Sequence, residues 1–104
     1  MGRNGYEPSV FDTEQGTCFL CGAEGDTVRH EAYFGSKNRR MSKEKGAWAN
    51  ICPRCHRIIH EKPDDGKLDW EFKQICQKAI IDKLDSEGHD GRKIFYAWFR
   101  RYYD

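Results

Sequence analysis

The sequence predicts a small α+β module held by metal rather than by a large apolar core, with two helices appended at its C-terminal end. Three observations predict it. At 104 residues, with 38% hydrophobic and 34% charged residues and a mean hydropathy of −0.93, the chain can fill one domain but only a thin core. Four of its five cysteines fall as two CxxC pairs, Cys18/Cys21 and Cys52/Cys55, which in a reducing compartment read as metal ligands rather than disulfides. Between and after those pairs the residue pattern runs strand, strand, short helix, and then two longer helical periodicities.

The elements follow in chain order. Pro8, Gly16, Gly22 to Gly25, Pro63 to Gly66 and Gly88 to Gly91 punctuate the chain as loops. Thr27 to Phe34 carries β-branched and aromatic residues and stops at Gly35; Ala47 to Ile51 is short and apolar and follows Gly46, so the two are expected to pair as a hairpin around a basic loop. From Pro53, PRCHRIIHEK predicts a short helix, because proline suits a first turn and Pro63 ends the segment. Leu68, Phe72, Ile75, Cys76, Ala79 and Ile80 recur every three or four residues and predict one face of a helix over 67–84. Ile94, Phe95, Trp98, Phe99 and Tyr102 repeat that spacing behind Asp90, a suitable N-cap. The expected organisation is an N-terminal extension over 1–17, a zinc-binding ββα module over 18–62 and a helical part over 63–104 packed on the same domain.

In a CxxC knuckle both thiolates turn toward one point, and two knuckles complete the tetrahedral sulfur shell that zinc favours. Cys18, Cys21, Cys52 and Cys55 are therefore the expected ligands of a structural zinc, with the second pair opening a helix whose amides stabilise thiolate charge, similar to the treble-clef arrangement. Cys76, on the apolar face of the long helix, reads as a small buried hydrophobe. A second constellation lies beside the first. His56 and His60, four apart on the short helix, project from one face as two imidazole ligands of one ion require. His30, on the first strand, would close a three-histidine site if that strand packs on the helix; such a site keeps open positions, as catalytic metals do. His89 is expected in solvent.

Charge is distributed unevenly. The chain has 18 Lys and Arg against 17 Asp and Glu, but residues 29–62 hold nine basic against three acidic groups, a net +6 flanked by acidic ends. Such a patch suits a polyanion, and Arg29, Lys37, Arg39, Arg40, Lys43, Lys45, Arg54 and Arg57 are its candidate phosphate contacts. No stretch approaches the roughly 18 apolar residues of a membrane span, and MGRNGYEPSVFD lacks the apolar core of a signal peptide, so a cytoplasmic chain with no membrane partner is expected.

CxxC, a strand carrying histidine, then CxxCH with a further histidine four residues on, resembles the HNH or ββα-metal nucleases. More closely, EPSVFDTEQGTCFLCG, HEAYFGSKNRRMSKEKGAWANICPRCHRIIHE and LDWEFKQICQKA resemble a group of small HNH-like proteins encoded by bacteriophages and prophages. The resemblance implies a zinc-stapled ββα-metal, treble-clef-like module and a metal-dependent DNA endonuclease acting in the host cytoplasm. The cysteine knuckles would be scaffold, and the resemblance makes the candidate phosphate contacts the expected DNA contacts. His56, His60 and His30 would hold or serve a catalytic ion such as Mg, Mn, Ni or Zn.

The chain departs from that pattern at two points. Where many HNH nucleases set two polar residues together on the strand, His30 is flanked by Arg29 and Glu31. Either His30 is the general base and a ligand is missing, or His30 is a ligand and Glu31 stands in the base position. The middle asparagine is also displaced: Ala47 stands five residues before Cys52, Asn50 is three residues nearer, and Asn38 in the KNRR segment is the other candidate. Two functions follow from different classes: an HNH-type endonuclease, or a catalytically inactive zinc module that binds DNA or a phage or host protein, for example a host-defence component.

Overall fold

The computed structural model describes residues 6–104, and its elements run β1 (Val28–Glu31), α1 (Ser36–Glu44), β2 (Trp48–Ile51), α2 (Pro53–Glu61), α3 (Lys67–Ser86) and α4 (Gly91–Phe99). The result is α+β, a two-stranded antiparallel sheet with four helices. Register pairs Val28 with Ile51, Arg29 with Asn50, His30 with Ala49 and Glu31 with Trp48. Directly opposed residues share a face. One face therefore carries Val28, His30, Ala49 and Ile51, and the other carries Arg29, Glu31, Trp48 and Asn50. None of the helices among the described residues is long and apolar enough to cross a membrane.

The first strand is shorter than expected and the loop after it is a helix. Beyond Glu31 one bond continues the ladder, Ala32 N to Ala47 O, and pairing ends there because Ala47 N donates to Ser42 O of α1 rather than back to Ala32; Tyr33 N donates to Ser42 Oγ, and Ala32 and Tyr33 turn into the core. The segment expected as a basic loop forms α1, whose inward residues are Met41 and the fully buried Ser42. Gly46 then needs its left-handed backbone, φ 75°, and its lack of a side chain: a Cβ there would collide with the Pro8 carbonyl.

The N-terminal stretch, of which residues 1–5 lie outside the described residues, runs along the free edge of β2, with Tyr6 and Glu7 against Trp48 on the second face. Glu7 N donates to Lys43 O and Val10 N to Gly46 O, the Trp48 indole donates to Glu7 O at 2.7 Å, and Thr13 Oγ1 accepts from Asn50 N. Val10 and Phe11 add their side chains to the main core of Tyr33, Phe72, Cys76, Ile80, Phe95 and Phe99.

Cys76 is fully buried there, as expected, and His89 is exposed. Helix α3 departs from the expected face in one respect. Ile75 is 45% exposed, whereas Asp69, Lys73 and Gln77 are buried. Polar pairing explains the exchange: Lys73 Nζ donates to Asp69 Oδ2 at 2.7 Å, and Gln77 accepts from Tyr103 N and donates to Asp104. Helix α4 starts at Asp90, whose carboxylate accepts from Lys93 N, and stops at Arg100 in the left-handed region. Gly91 lets α4 dock closely, since a Cβ would meet Ile81 O at 2.5 Å.

Candidate metal centres

The first knuckle is built by a tight turn. Cys21 N donates to Cys18 Sγ at 3.4 Å, Gly22 N to Cys18 O, and Cys18 N to Ala23 O, closed by a single bridge between Thr17 and Glu24. The second knuckle repeats the amide-to-sulfur bond, Cys55 N to Cys52 Sγ at 3.4 Å, which makes Cys52 the N-cap of α2, with Pro53 in its first turn. Ile51 and Ile59 pack the knuckles together in a small core of their own, with Phe19, Leu20 and Leu68 alongside.

The four sulfur ligand atoms lie within 4.8 Å of one another, with Cys21 Sγ 3.8 Å from Cys52 Sγ. Burial pushes the Cys18 thiol up, but amide donors from Cys52, Cys21 and Leu20 outweigh it and hold the group at about 6. Burial and the neighbouring sulfurs push Cys55 up. Four sulfurs this close cannot all carry negative charge without a cation among them. The donor set fits a metal ion and is consistent with zinc.

The second cluster grows out of the same helix. His56 follows Cys55 directly and His60 comes one turn later, and their Nε2 atoms lie 3.0 Å apart. Because β1 packs on α2 with its His30 face, the His30 ring comes to 5.4 Å from that of His56 and 5.5 Å from that of His60. The opposed residue is Ala49, small enough to leave room. One ligand atom from each histidine lies within 4.8 Å of the others.

His30 is 2% exposed, and its Nε2 is buried without a hydrogen-bond partner among the described residues. Burial, then the neighbouring His56 and His60, hold it down at about 3; burial and His60 also lower His56. Both rings therefore stay neutral at physiological pH, the form that offers a lone pair to a metal. An orphaned buried nitrogen beside two further imidazoles fits a cation.

These histidines open on a cleft of about 440 Å³ that Arg29, Glu31, Phe34, Gly35 and Arg39 also line. Phe34 forms a wall, its ring 5.4 Å from His30 and 5.6 Å from His60. Glu31 does not stand free in it: Oε2 accepts from Tyr6 Oη at 2.8 Å and Oε1 from Arg39 Nε at 2.7 Å. Asn38, on α1, makes no side-chain hydrogen bond among the described residues and lies outside both clusters and the cleft.

The expected DNA contacts are placed unevenly. Arg29 and Arg39 reach the cleft; Arg29 and Lys43 also lie over the Tyr6 ring. Lys37 and Arg40 are exposed on α1, and Arg54 and Arg57 on α2. Lys45 stands apart, over Trp98 in a separate groove. Sequence reasoning missed Tyr6, which is 25 residues from the carboxylate it holds, and Phe34, whose only signal was its place at the end of the expected strand, before Gly35. Comparison of the chain with protein-family models, with curated proteins and with solved structures finds no match.

Proposed function

We propose that the chain is a metal-dependent, HNH-type DNA endonuclease of phage origin, in which a structural zinc on Cys18, Cys21, Cys52 and Cys55 fixes a treble-clef-like ββα-metal module and His30, His56 and His60 hold the catalytic ion. The observation that carries this reading is the open histidine cluster: three imidazole nitrogens within 4.8 Å, one buried and unpartnered, at the floor of a cleft edged by two arginines. A divalent ion bound there supplies Lewis acidity toward a phosphate oxygen and lowers the pKa of water. The chain's own residues do the rest. Neutral imidazoles hold the ion, Arg29 and Arg39 bind the flanking phosphates, and Phe34 shields one side from solvent. Of the two assignments open for His30, its convergence with the α2 histidines favours the ligand.

One observation favours the second reading, a zinc module that binds DNA or a host protein without turnover. With His30 among the ligands, the residue left for the base is Glu31, and both its oxygens are already engaged. Plasmid nicking in the presence of Mg, Mn, Ni or Zn decides between them. The nuclease reading expects nicking with at least one ion, reduced at least about a hundredfold by His56→Ala. Duplex binding without nicking under every ion gives the binding module instead.

A further inference from the structure

We propose that Glu31 is a positioning residue, whose buried carboxylate holds the Arg39 guanidinium at the mouth of the histidine cleft so that Arg39 binds a phosphate of duplex DNA. The inference rests on the DNA reading above but not on turnover. Glu31 is 6% exposed and belongs to the sheet face opposite His30. Its two oxygens are taken from two directions, by Tyr6 of the N-terminal segment and by Arg39 of α1. A carboxylate gripped this way is an anchor.

What it anchors is mostly outside. The Arg39 side chain is 67% exposed, and it uses only Nε toward Glu31. Its four remaining N–H groups have no partner among the described residues. A guanidinium fixed by its inner N–H presents its planar fork outward, and that fork matches two phosphate oxygens. The neighbouring Arg40 supplies the contrast. It has the same charge and lies one residue on, but among the described residues it pairs only with the half-buried Glu44, at 3.8 Å, while itself 76% exposed. Such a pair fixes little. Arg39 is therefore preorganised and Arg40 is not, and side-chain ordering that the protein has already imposed need not be lost on binding.

The test is binding of a fluorescein-labelled 20-base-pair duplex to the full chain in a His56→Ala background, where cleavage does not intervene. Arg39→Ala is expected to weaken binding about tenfold and Arg40→Ala about threefold or less. Glu31→Gln is the sharper variant. Removing a negative charge near DNA tightens binding on electrostatic grounds alone, whereas loss of an anchor weakens it. We expect weakening of about three- to tenfold, with no further loss when Glu31→Gln is added to Arg39→Ala.

In the cleaving parent, Glu31→Gln should raise the KM for nicking and leave kcat within about twofold. Tighter or unchanged duplex binding by Glu31→Gln would overturn the proposal, as would lost nicking with binding intact, which marks a general base. If Glu31→Gln does not fold, the exposed arginines decide: equal losses from Arg39→Ala and Arg40→Ala also overturn it. A parent that binds duplex without nicking removes the nuclease reading and leaves these binding comparisons standing.

Discussion

Cys52 and Cys55 open the helix on which His56 and His60 follow, yet the cysteine cluster is closed and the histidine cluster is open. The closed cluster offers four sulfurs, two of them buried, packed against Ile51 and Ile59. The open one offers three imidazoles, of which only His30 is buried, facing a cleft with arginines at its edge. Four ligands fill a tetrahedral shell and leave no position for a substrate; three do not. One helix thus carries ligands of both clusters, Cys52 and Cys55 at its start and His56 and His60 directly after them.

If the cysteine cluster is scaffold, breaking it should cost most. The core around it is small, and zinc binding in modules of this size contributes on the order of 10 kcal/mol gross. Cys52→Ala, or removal of the ion by a strong chelator, should abolish the cooperative melting transition and lower helical circular dichroism. A Cys52→Ala chain that melts like the parent would remove the comparison altogether.

Breaking the histidine cluster should leave the fold in place. His56 is half-buried and exchanges its main-chain bonds within α2, so His56→Ala should shift stability by no more than about 1 kcal/mol while nicking falls by about two orders of magnitude or more. Thermal melting and plasmid nicking on the same preparation check the two halves of that statement. A parallel fall in both would mean that the two clusters are not separable.

The smallest effect concerns the surface. If three to five phosphates are neutralised, duplex affinity should fall with salt on a log–log slope of about −3 to −4.5, and replacing Arg39 and Arg40 together by Ala should flatten it by about two. Fluorescence titration across a salt series reads this. A slope unchanged by the double replacement would assign the cations of α1 to solvent and point to a protein partner.

The cysteine pairs and two of the three histidines could be found from spacing, because their geometry is written locally, CxxC for the knuckles and an interval of four for His56 and His60; His30 joins them only through the packing of β1 on α2. The apolar repeats of α3 and α4 are visible for the same reason. What spacing did not show is held by polar or distant contacts. Helix α1 is hidden because its inward face is Met41 and Ser42, and a buried serine hydroxyl bonded to Tyr33 leaves no hydrophobic periodicity. Ile75 looks like a core residue by interval but yields that face to Lys73, whose charge is acceptable there only because Asp69 lies one turn back. The role of Glu31 depends on Tyr6 and Arg39, reached through the fold from either side of the strand. No local pattern carries that information.

The most direct test of the account is metal stoichiometry with cobalt substitution, in the parent and in His56→Ala. One firmly held zinc per chain is expected in the purified parent. Exchanged for cobalt(II), that site should show an intense sulfur-to-metal charge-transfer band, and a second, weaker equivalent should bind without adding to it. His56→Ala should keep the first ion and lose the second. A parent with no firmly held zinc, or a His56→Ala chain that loses the sulfur-bound ion as well, would contradict two separate centres on one helix.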